Sequence, residues 1–284
     1  MKTIALPSML GLLFCQHSTP ALAIPETWVA SNGGGVACTR AAPCANFQTA
    51  HLATDPGGII KCVDAGNFGA VGITKSITID CTGTNGGIVS VPGGPGVELS
   101  AAGIDVTLRG LSIDGGSNVG GFIGVRMANG NRLNIEDCRI SGYAFGITIQ
   151  PTGSVAVRVA LTRVQVERNI TGIVANGTPS TGSIVVQVRD SVVANNGENG
   201  ITALTIPGGA FTAFVVDRSS IILNFSDGIH VDGAGAVVHL GNSTVIGNAG
   251  GLIVANGGQI LSYQNNQASG NGVDGAPTGV LTVK

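Results

Sequence analysis

The 284-residue chain has little charge and few aromatic residues, which make up 11% and 4% of it. Glu, Lys and Leu, which favour helices, are scarce, so a helical bundle is a poor fit to this composition. A disordered chain is also disfavoured, because 43% of the residues are hydrophobic. The 46 glycines instead suit flat, stacked β-sheets with tight corners.

Basic stripes and metal-ligand motifs are missing as well. The chain has 14 Lys and Arg against 16 Asp and Glu, and no run of basic residues alternates with aromatics, so we expect no nucleic-acid partner. No C-x-x-C spacing occurs and the four His lie far apart. Asp137, Asp190 and Asp217 fall near one corner but alternate with Arg139, Arg189 and Arg218, which disfavours calcium. We predict no metal and no cofactor.

No apolar run is long enough to cross a bilayer, which takes about 20 residues. The longest candidate, Ile4 to Phe14, follows the single charge of Lys2 and precedes Ala21-Leu22-Ala23, a site typical of signal peptidase cleavage. Residues 1–23 are therefore predicted to be a signal peptide cleaved after Ala23, and the protein to be secreted or periplasmic. Lipidation of Cys15 is disfavoured, because Phe14 stands where a small residue is normal.

A Gly followed by an aliphatic residue recurs through the second half of the chain, in steps of 22 to 28 residues. The six sites are Gly124-Val125, Gly146-Ile147, Gly172-Ile173, Gly200-Ile201, Gly228-Ile229 and Gly251-Leu252. Such a period predicts a solenoid of stacked turns. Two other solenoids are excluded. A left-handed hexapeptide helix would need a six-residue repeat, and leucine-rich repeats would need Leu where this chain has mostly Val and Ile.

Each repeat contains three short apolar segments separated by small or polar residues. Ahead of the Gly lies an alternating apolar pair: Leu133/Ile135, Val157/Val159, Val186/Val188, Phe214/Val216, Val238/Leu240 and Leu261/Tyr263. Three residues later comes Cys138, Thr162, Ser191, Ser219, Ser243 or Asn266. A second apolar segment follows around Ile140, Val164, Val193, Ile222 and Val245, and then Asn169, Asn196, Asn224, Asn248 or Asn271. Three strands per turn predict a triangular β-coil.

Equivalent residues of successive turns should stack about 4.8 Å apart. The small polar positions would then form an inward hydroxyl ladder, and the Asn positions an amide ladder at a corner where Asn tolerates left-handed backbone. Ligand binding by these Asn is the less favoured interpretation, because a ladder already explains their spacing.

The pattern V-x-V-x-x-S-x-(V/I)…N-x-x-G-I-x-V resembles that of right-handed parallel β-helix proteins of the pectin lyase-like type. At the front end, Pro43–Ala50, Gly57–Val63 and Gly66–Gly69 resemble the capping helix, first strand and turn that open such helices. Ile73–Cys81 and the stretch from Asn265 to Gly272 resemble an uncharacterised subgroup of secreted bacterial proteins. The resemblance implies an all-β, single-stranded right-handed parallel β-helix over residues 24–284, with residues 24–65 as the N-terminal cap.

The ends and the cysteines add detail to this interpretation. An amphipathic cap helix is predicted from Asn46 to Thr54, with Phe47, Ala50, and Leu52 or Ala53 on its buried side. Val280, Leu281 and Val283 form either a last strand or a plug, and the oligomeric state stays open.

In an exported protein the cysteines favour disulfides, Cys38–Cys44 in a short loop and Cys62–Cys81 between consecutive strands. Cys138, at an inward ladder position, is expected to be a buried free thiol.

The candidate catalytic residues lie in the segment Ser226–Gly233. Because Ile229 and Val231 should point inward, His230 and Asp232 should point outward about 7 Å apart, close enough for base and partner in proton abstraction or hydrolysis. Asp227, at the preceding corner, completes the cluster. The segment resembles the Gly-His-Gly neighbourhood of polygalacturonases, but the Asn-Thr-Asp and Asp-Asp motifs of that family are missing. The competing interpretation is a corner Asp beside solvated strand residues.

Other outward residues offer fewer options. Arg126 lies four turns from His230, roughly 19 Å away, and cannot act on the same bond. Arg158 and Arg189, expected one turn apart, are candidates for a carboxylate-binding clamp, and Arg189 is expected to pair with Asp217. Phe214 and Tyr263 are assigned to the core, whereas Phe145 and Phe225 lie in loops.

The sequence leaves open whether the protein is an enzyme. One hypothesis is an exported protein that binds or processes an extracellular polysaccharide by lyase-like or hydrolase-like chemistry, motivated by the fold and by His230 and Asp232. The alternative is a non-catalytic cell-surface or envelope scaffold or adhesion protein. It is motivated by the small number of potential catalytic side chains at the outward positions of the strands.

Overall fold

The computed structural model describes residues 24–90, 93–116 and 122–282, so the predicted signal peptide lies outside the described residues. The first half contains β1 (Glu26–Val29), α1 (Phe47–Ala53), β2 (Ile59–Cys62), β3 (Gly66–Asn67), β4 (Val71–Ile73), β5 (Ile77–Asp80), β6 (Gly86–Val89), β7 (Pro95–Leu99), β8 (Asp105–Arg109), β9 (Leu111–Asp114), β10 (Ile123–Met127), β11 (Arg132–Glu136), β12 (Arg139–Ser141) and β13 (Phe145–Ile149). The second half contains β14 (Ala156–Thr162), β15 (Gln165–Glu167), β16 (Thr171–Asn176), β17 (Ser183–Arg189), β18 (Val192–Ala194), β19 (Ile201–Leu204), β20 (Phe211–Asp217), β21 (Ser220–Ile222), β22 (Asp227–Asp232), β23 (Ala236–Gly241), β24 (Thr244–Ile246), β25 (Gly250–Ala255), β26 (Gln259–Ser262), β27 (Gln267–Ala268), β28 (Val273–Gly275) and β29 (Gly279–Val280).

The strands form three parallel sheets that wrap around one core. Over the described ranges, sheet A has 11 strands in the order β1-β2-β5-β8-β11-β14-β17-β20-β23-β26-β29. Sheet B runs from β3 through β6, β9, β12, β15, β18, β21 and β24 to β27, and sheet C from β4 through β7, β10, β13, β16, β19, β22 and β25 to β28. Each turn of backbone adds one strand to every sheet. The predicted right-handed parallel β-helix is confirmed.

Inward positions repeat from turn to turn and fill the core. One column of sheet A consists of Leu133, Val159, Val186, Phe214, Val238 and Ile260, each at most 3% exposed. Branched aliphatic side chains suit this position, because they pack well on a pleated surface that is covered by its neighbours. The core is therefore a narrow column of apolar side chains along the axis of the β-helix.

Several predicted register positions are wrong. Strand β14 has three inward residues, Val157, Val159 and Leu161, and the structure aligns the last two with Leu133 and Ile135. Alternation alone cannot show which two of three equivalent residues continue a column. In the next turn, Val164 therefore occupies the position equivalent to Cys138. Thr162 is not part of that ladder.

Two further registers differ from the prediction. In sheet B, Val166 and Ile221 align with Ile140, rather than the expected Val164 and Ile222. In β26 the inward residues are Ile260 and Ser262, so Tyr263 is partly exposed and not in the core. Adjacent Ile221 and Ile222 look alike in sequence, and only the pairing with neighbouring strands decides between them.

The predicted Asn ladder is present and buried. Each Nδ2 group donates to the Oδ1 atom of the Asn one turn on, over 3.2, 2.8, 3.0 and 2.9 Å from Asn169 through Asn196, Asn224 and Asn248 to Asn271. The ladder Asn do not themselves adopt left-handed backbone, contrary to expectation. That conformation belongs to the residue just before each of them, Arg168, Asn195, Leu223, Gly247 and Gly270.

The repeated Gly at the start of the sheet C strands β13, β16, β19, β22 and β25 faces this ladder. A Cβ atom at Gly146 would lie 2.7 Å from the carbonyl oxygen of Gly172 and 2.9 Å from Nδ2 of Asn169. Both distances are shorter than normal van der Waals contacts. The recurrence of Gly is thus a consequence of close packing between successive turns.

The N-terminal end is covered and cross-linked. Asn46 caps α1 by accepting from the N–H of Thr49 at 2.8 Å, and Phe47 and Ala50 are buried while Leu52 is 72% exposed. The two predicted disulfides, Cys38–Cys44 and Cys62–Cys81, are present. Such bonds are typical of proteins from oxidising compartments.

Cys138 is a free, buried cysteine, and burial raises the pKa of its thiol to about 12. Val280 belongs to a last strand, β29, which pairs with β26, whereas Val283 lies outside the described residues. Within the ranges described above, no helix is long and apolar enough to cross a membrane.

Candidate functional site

Strand β22 presents His230 on the outer surface of sheet C. Its neighbours Ile229 and Val231 are fully buried, which turns His230 and Asp232 outward as predicted. The side chain of His230 is 26% exposed, so it is mostly covered by its neighbours but still reaches solvent. Thr202 and Ile253 flank His230 on the two adjacent strands.

The hydrogen-bond partner of His230 is Asp227. The Nδ1 atom of His230 lies 2.7 Å from Oδ2 of Asp227. Asp227 is paired in register with Gly250 of the next turn, and a side chain at Gly250 would collide with its carboxylate. Gly228 and Ile229 are both buried, so the alternation of inward and outward residues is interrupted and Asp227 and His230, three residues apart, lie on the same side.

Neighbouring polar residues hold Asp227 in place. Its backbone N–H donates to Oδ1 of Asn199 at 3.0 Å, and Nδ2 of Asn199 donates to Oγ1 of Thr202 at 3.2 Å. A network of four residues therefore connects two turns and fixes the orientation of the imidazole. A preorganised His with a carboxylate on Nδ1 and an open Nε2 is suited to general acid–base chemistry.

Asp232 is oriented away from this pair by a different partner. Its Oδ1 atom accepts a hydrogen bond from Nδ2 of Asn256 at 2.7 Å. The expected pairing of His230 with Asp232 is therefore replaced by pairing with Asp227. Sequence spacing favoured Asp232 because it shares the outward register, whereas the Gly250 gap that admits Asp227 lies in another turn.

An exposed aromatic residue precedes strand β22. Phe225, two residues before Asp227, is 80% exposed. Phe145 instead packs edge-on against Phe122, with ring centroids 5.5 Å apart. Phe145 begins strand β13 and is therefore not in a loop as expected, whereas Phe225 lies outside the strands and has an exposed ring.

The acidic corner formed by Asp137, Asp190 and Asp217 consists of ion pairs and is not an open calcium site. Arg163 binds both carboxylate oxygens of Asp137, at 2.6 and 2.8 Å, and Arg218 binds Asp190 in the same way at 2.7 and 3.0 Å. These guanidinium groups lower the pKa values of Asp137 and Asp190. In the part of the chain that the structure describes, no three His, Cys, Asp or Glu side chains converge into a metal-binding group.

The spacing assumed for an arginine clamp is wrong. Arg158 pairs in register with Arg132 and Val185, and Arg189 pairs with Thr162 and Asp217. Arg189 lies 3.5 Å from Asp190 and 3.9 Å from Asp217, which confirms the expected contact with Asp217. Arg158 and Arg189 are four positions apart along the strand direction and do not face a common ligand atom. The misplaced register of β14 explains the difference.

Comparison with known proteins adds a fold-level relationship. No family model matches the chain, and no curated protein matches its sequence. Among solved structures, the chain is similar to the crystal structure of pectate lyase Pel9A, with a TM-score of 0.52, 13% identity, and coverage of 90% of this chain and 80% of that one. The chain has a pectate lyase-like β-helix fold. At this identity the pectate lyase-like fold is shared, and the chemistry has to be argued from the residues themselves.

Proposed function

We propose that the protein binds and processes an extracellular polysaccharide, and that His230, oriented by Asp227, transfers a proton in that reaction. The observation that carries the proposal is the 2.7 Å contact between Nδ1 of His230 and the Asp227 carboxylate on an open outer face. This arrangement leaves Nε2 available to a substrate. A polymer can reach it because the site lies on the surface of a strand and not in an enclosed cavity.

Two further features support a polysaccharide as substrate. The exposed ring of Phe225 offers an apolar surface to the face of a sugar ring. The fold is shared with a pectate lyase, a protein whose name states an action on a polysaccharide. Asp232 lies on the same strand as His230 and accepts a hydrogen bond from Asn256. In this proposal its carboxylate binds hydroxyl groups of the sugar.

The test is a panel of neutral and acidic polysaccharides incubated with the purified protein. New reducing ends would report hydrolysis, and ultraviolet absorbance of unsaturated products would report elimination. We expect one polymer to give products, and His230→Ala to lower kcat/KM by about 100-fold or more, the usual contribution of a general acid or base. Asp227→Asn should cause a smaller loss.

His239 provides a matched control, because it is an outward His on sheet A, far from Asp227. His239→Ala should retain wild-type activity. Activity that survives in His230→Ala would remove the assignment of His230. Binding of a polymer without any product from the wild-type protein would favour the non-catalytic scaffold instead.

A further inference from the structure

We propose that Arg132 and Arg158 form a second binding site, on the outer face of sheet A, for the oxyanion groups of an acidic polysaccharide. The two residues pair in register on β11 and β14, so their Cα atoms lie about 5 Å apart. Both side chains are exposed and project from the same face. The site rests on the proposed function only in taking the ligand to be a polysaccharide.

The arginines of this chain are otherwise matched with partners. Of the ten arginines in the sequence, seven have a nitrogen within 3.9 Å of a carboxylate oxygen, and Arg40 lies over the ring of Trp28 at 5.0 Å. Arg132 and Arg158 are the two that remain. All 16 Asp and Glu belong to the described residues, and none of them lies within 4.0 Å of either guanidinium.

This arrangement carries an energetic cost. Like charges directly opposite one another on neighbouring strands are destabilising. Asp105 is in register with Arg132 on its other side, but its Oδ1 atom accepts a hydrogen bond from Nδ2 of Asn131 at 2.7 Å. The repulsion between Arg132 and Arg158 is therefore left without an ion pair, and a bound anion would relieve it.

The surface around the two arginines suits a sugar. They border a shallow depression whose other lining residues include Asn134, Ala160, Val185 and Gln187. Ala160 and Val185 give it a small apolar floor, and the amides of Asn134 and Gln187 supply hydrogen-bonding groups. Two guanidinium forks can hold one carboxylate or sulfate from both sides.

The shape of the surface indicates a polymer and not a free ion. A second shallow depression shares Gln187 and continues along sheet A past Asp217 and Asn242 to the ring of Tyr263. From β11 to β26 the two depressions span five turn-to-turn steps, about 24 Å. An extended acidic chain can follow this strip with one acidic group between Arg132 and Arg158.

The experiment measures binding of the wild-type protein to a sulfated polymer, dextran sulfate, a carboxylated polymer, polygalacturonate, and a neutral polymer, dextran. We expect binding to at least one acidic polymer, weakened by added NaCl, and none to dextran. Arg132→Gln and Arg158→Gln should each weaken binding about tenfold, the usual effect of losing a charge-assisted hydrogen bond. The double variant should lose the salt-sensitive part of the binding, whereas binding at the His230 face of sheet C should remain.

Arg126→Gln is the control, since it removes the same charge from an exposed arginine on sheet C. It should bind within about twofold of wild type, as long-range charge effects are screened by salt. Thermal unfolding would verify that all variants are folded. The sulfated and carboxylated polymers distinguish the two sources of the oxyanion.

Three results would overturn the proposal: no acidic polymer binds, dextran binds equally well, or the double variant behaves like Arg126→Gln. His230→Ala should bind as wild type does. Failure of the proposed catalytic function would therefore appear as missing products with binding intact, and failure of the sheet A site as salt-sensitive binding that the double variant retains.

Discussion

At two repeated positions of this β-helix, buried Ser and Asn residues are satisfied by the equivalent residue one turn away. The Oγ atom of Ser219 accepts from the N–H of Ser191 at 3.2 Å, and Ser243 does the same for Ser219 at 3.1 Å. The Asn ladder follows the same rule with side-chain amides. Because an unpaired buried polar group costs about 1–3 kcal/mol, each member of a ladder depends on its neighbours.

His51 in the cap helix is an exception, since its ring is 1% exposed and its Nδ1 has no partner. Nε2 accepts from the N–H of Thr74 at 3.3 Å, which requires a neutral ring. Burial, with a smaller effect from Lys75, lowers the pKa of His51 from 6.5 to about 4. The unfolded chain therefore binds more protons than the folded chain between these two values.

The free energy of unfolding should consequently decrease as the pH falls from 6.5 to 4, and this group should cause no further loss below that range. The expected contribution is on the order of 3 kcal/mol. Urea unfolding at several pH values would measure it. His51→Gln, which does not titrate, should flatten this part of the profile, and His239→Gln should not. An unchanged profile in His51→Gln would contradict the assignment.

At the scale of elements, the glycines of sheet C determine how closely the turns stack. A Cβ atom at Gly146 would lie 2.8 Å from Cγ1 of Val166, in addition to its contacts with the next turn's backbone and ladder. At Gly197, in a corner, the nearest atom would be 3.7 Å away. A methyl group therefore has room at Gly197 and none at Gly146, although both glycines lie near the corner between sheets B and C.

Gly146→Ala should lower the free energy of unfolding by about 2–3 kcal/mol, since backbone and ladder atoms have to move to admit the methyl group. Gly197→Ala should be nearly neutral, because it fits without a clash and its backbone does not have positive φ. Chemical unfolding of both variants would measure the difference. Equal destabilisation of the two would contradict the packing explanation.

Strand register shows what the sequence could and could not predict about the elements. The period, the three-strand turn and the Asn ladder were predictable, because each recurs in many turns. The alignment of β14 was not, because Val157, Val159 and Leu161 are equally good inward residues. That error moved Arg158 one column away from its true neighbour, Arg132.

At the scale of the whole molecule, the candidate site and the arginine pair lie on different faces of one β-helix. His230 projects from sheet C, and Arg132 and Arg158 project from sheet A. The outward position of His230 was predictable from its alternation with Ile229 and Val231. Its partner was not, because the contact with Asp227 depends on two successive buried residues, Gly228 and Ile229, and on the missing side chain at Gly250 in the following turn.

The central claim, that His230 and Asp227 act on a bound polysaccharide, is tested most directly by a crystal structure. The crystal would contain the His230→Ala variant with an oligosaccharide from the polymer that the activity panel identifies. We predict sugar density across β19, β22 and β25, with a reacting group about 3 Å from the position of the missing imidazole Nε2. Ordered sugar found only on other faces, with none over β22, would contradict the account.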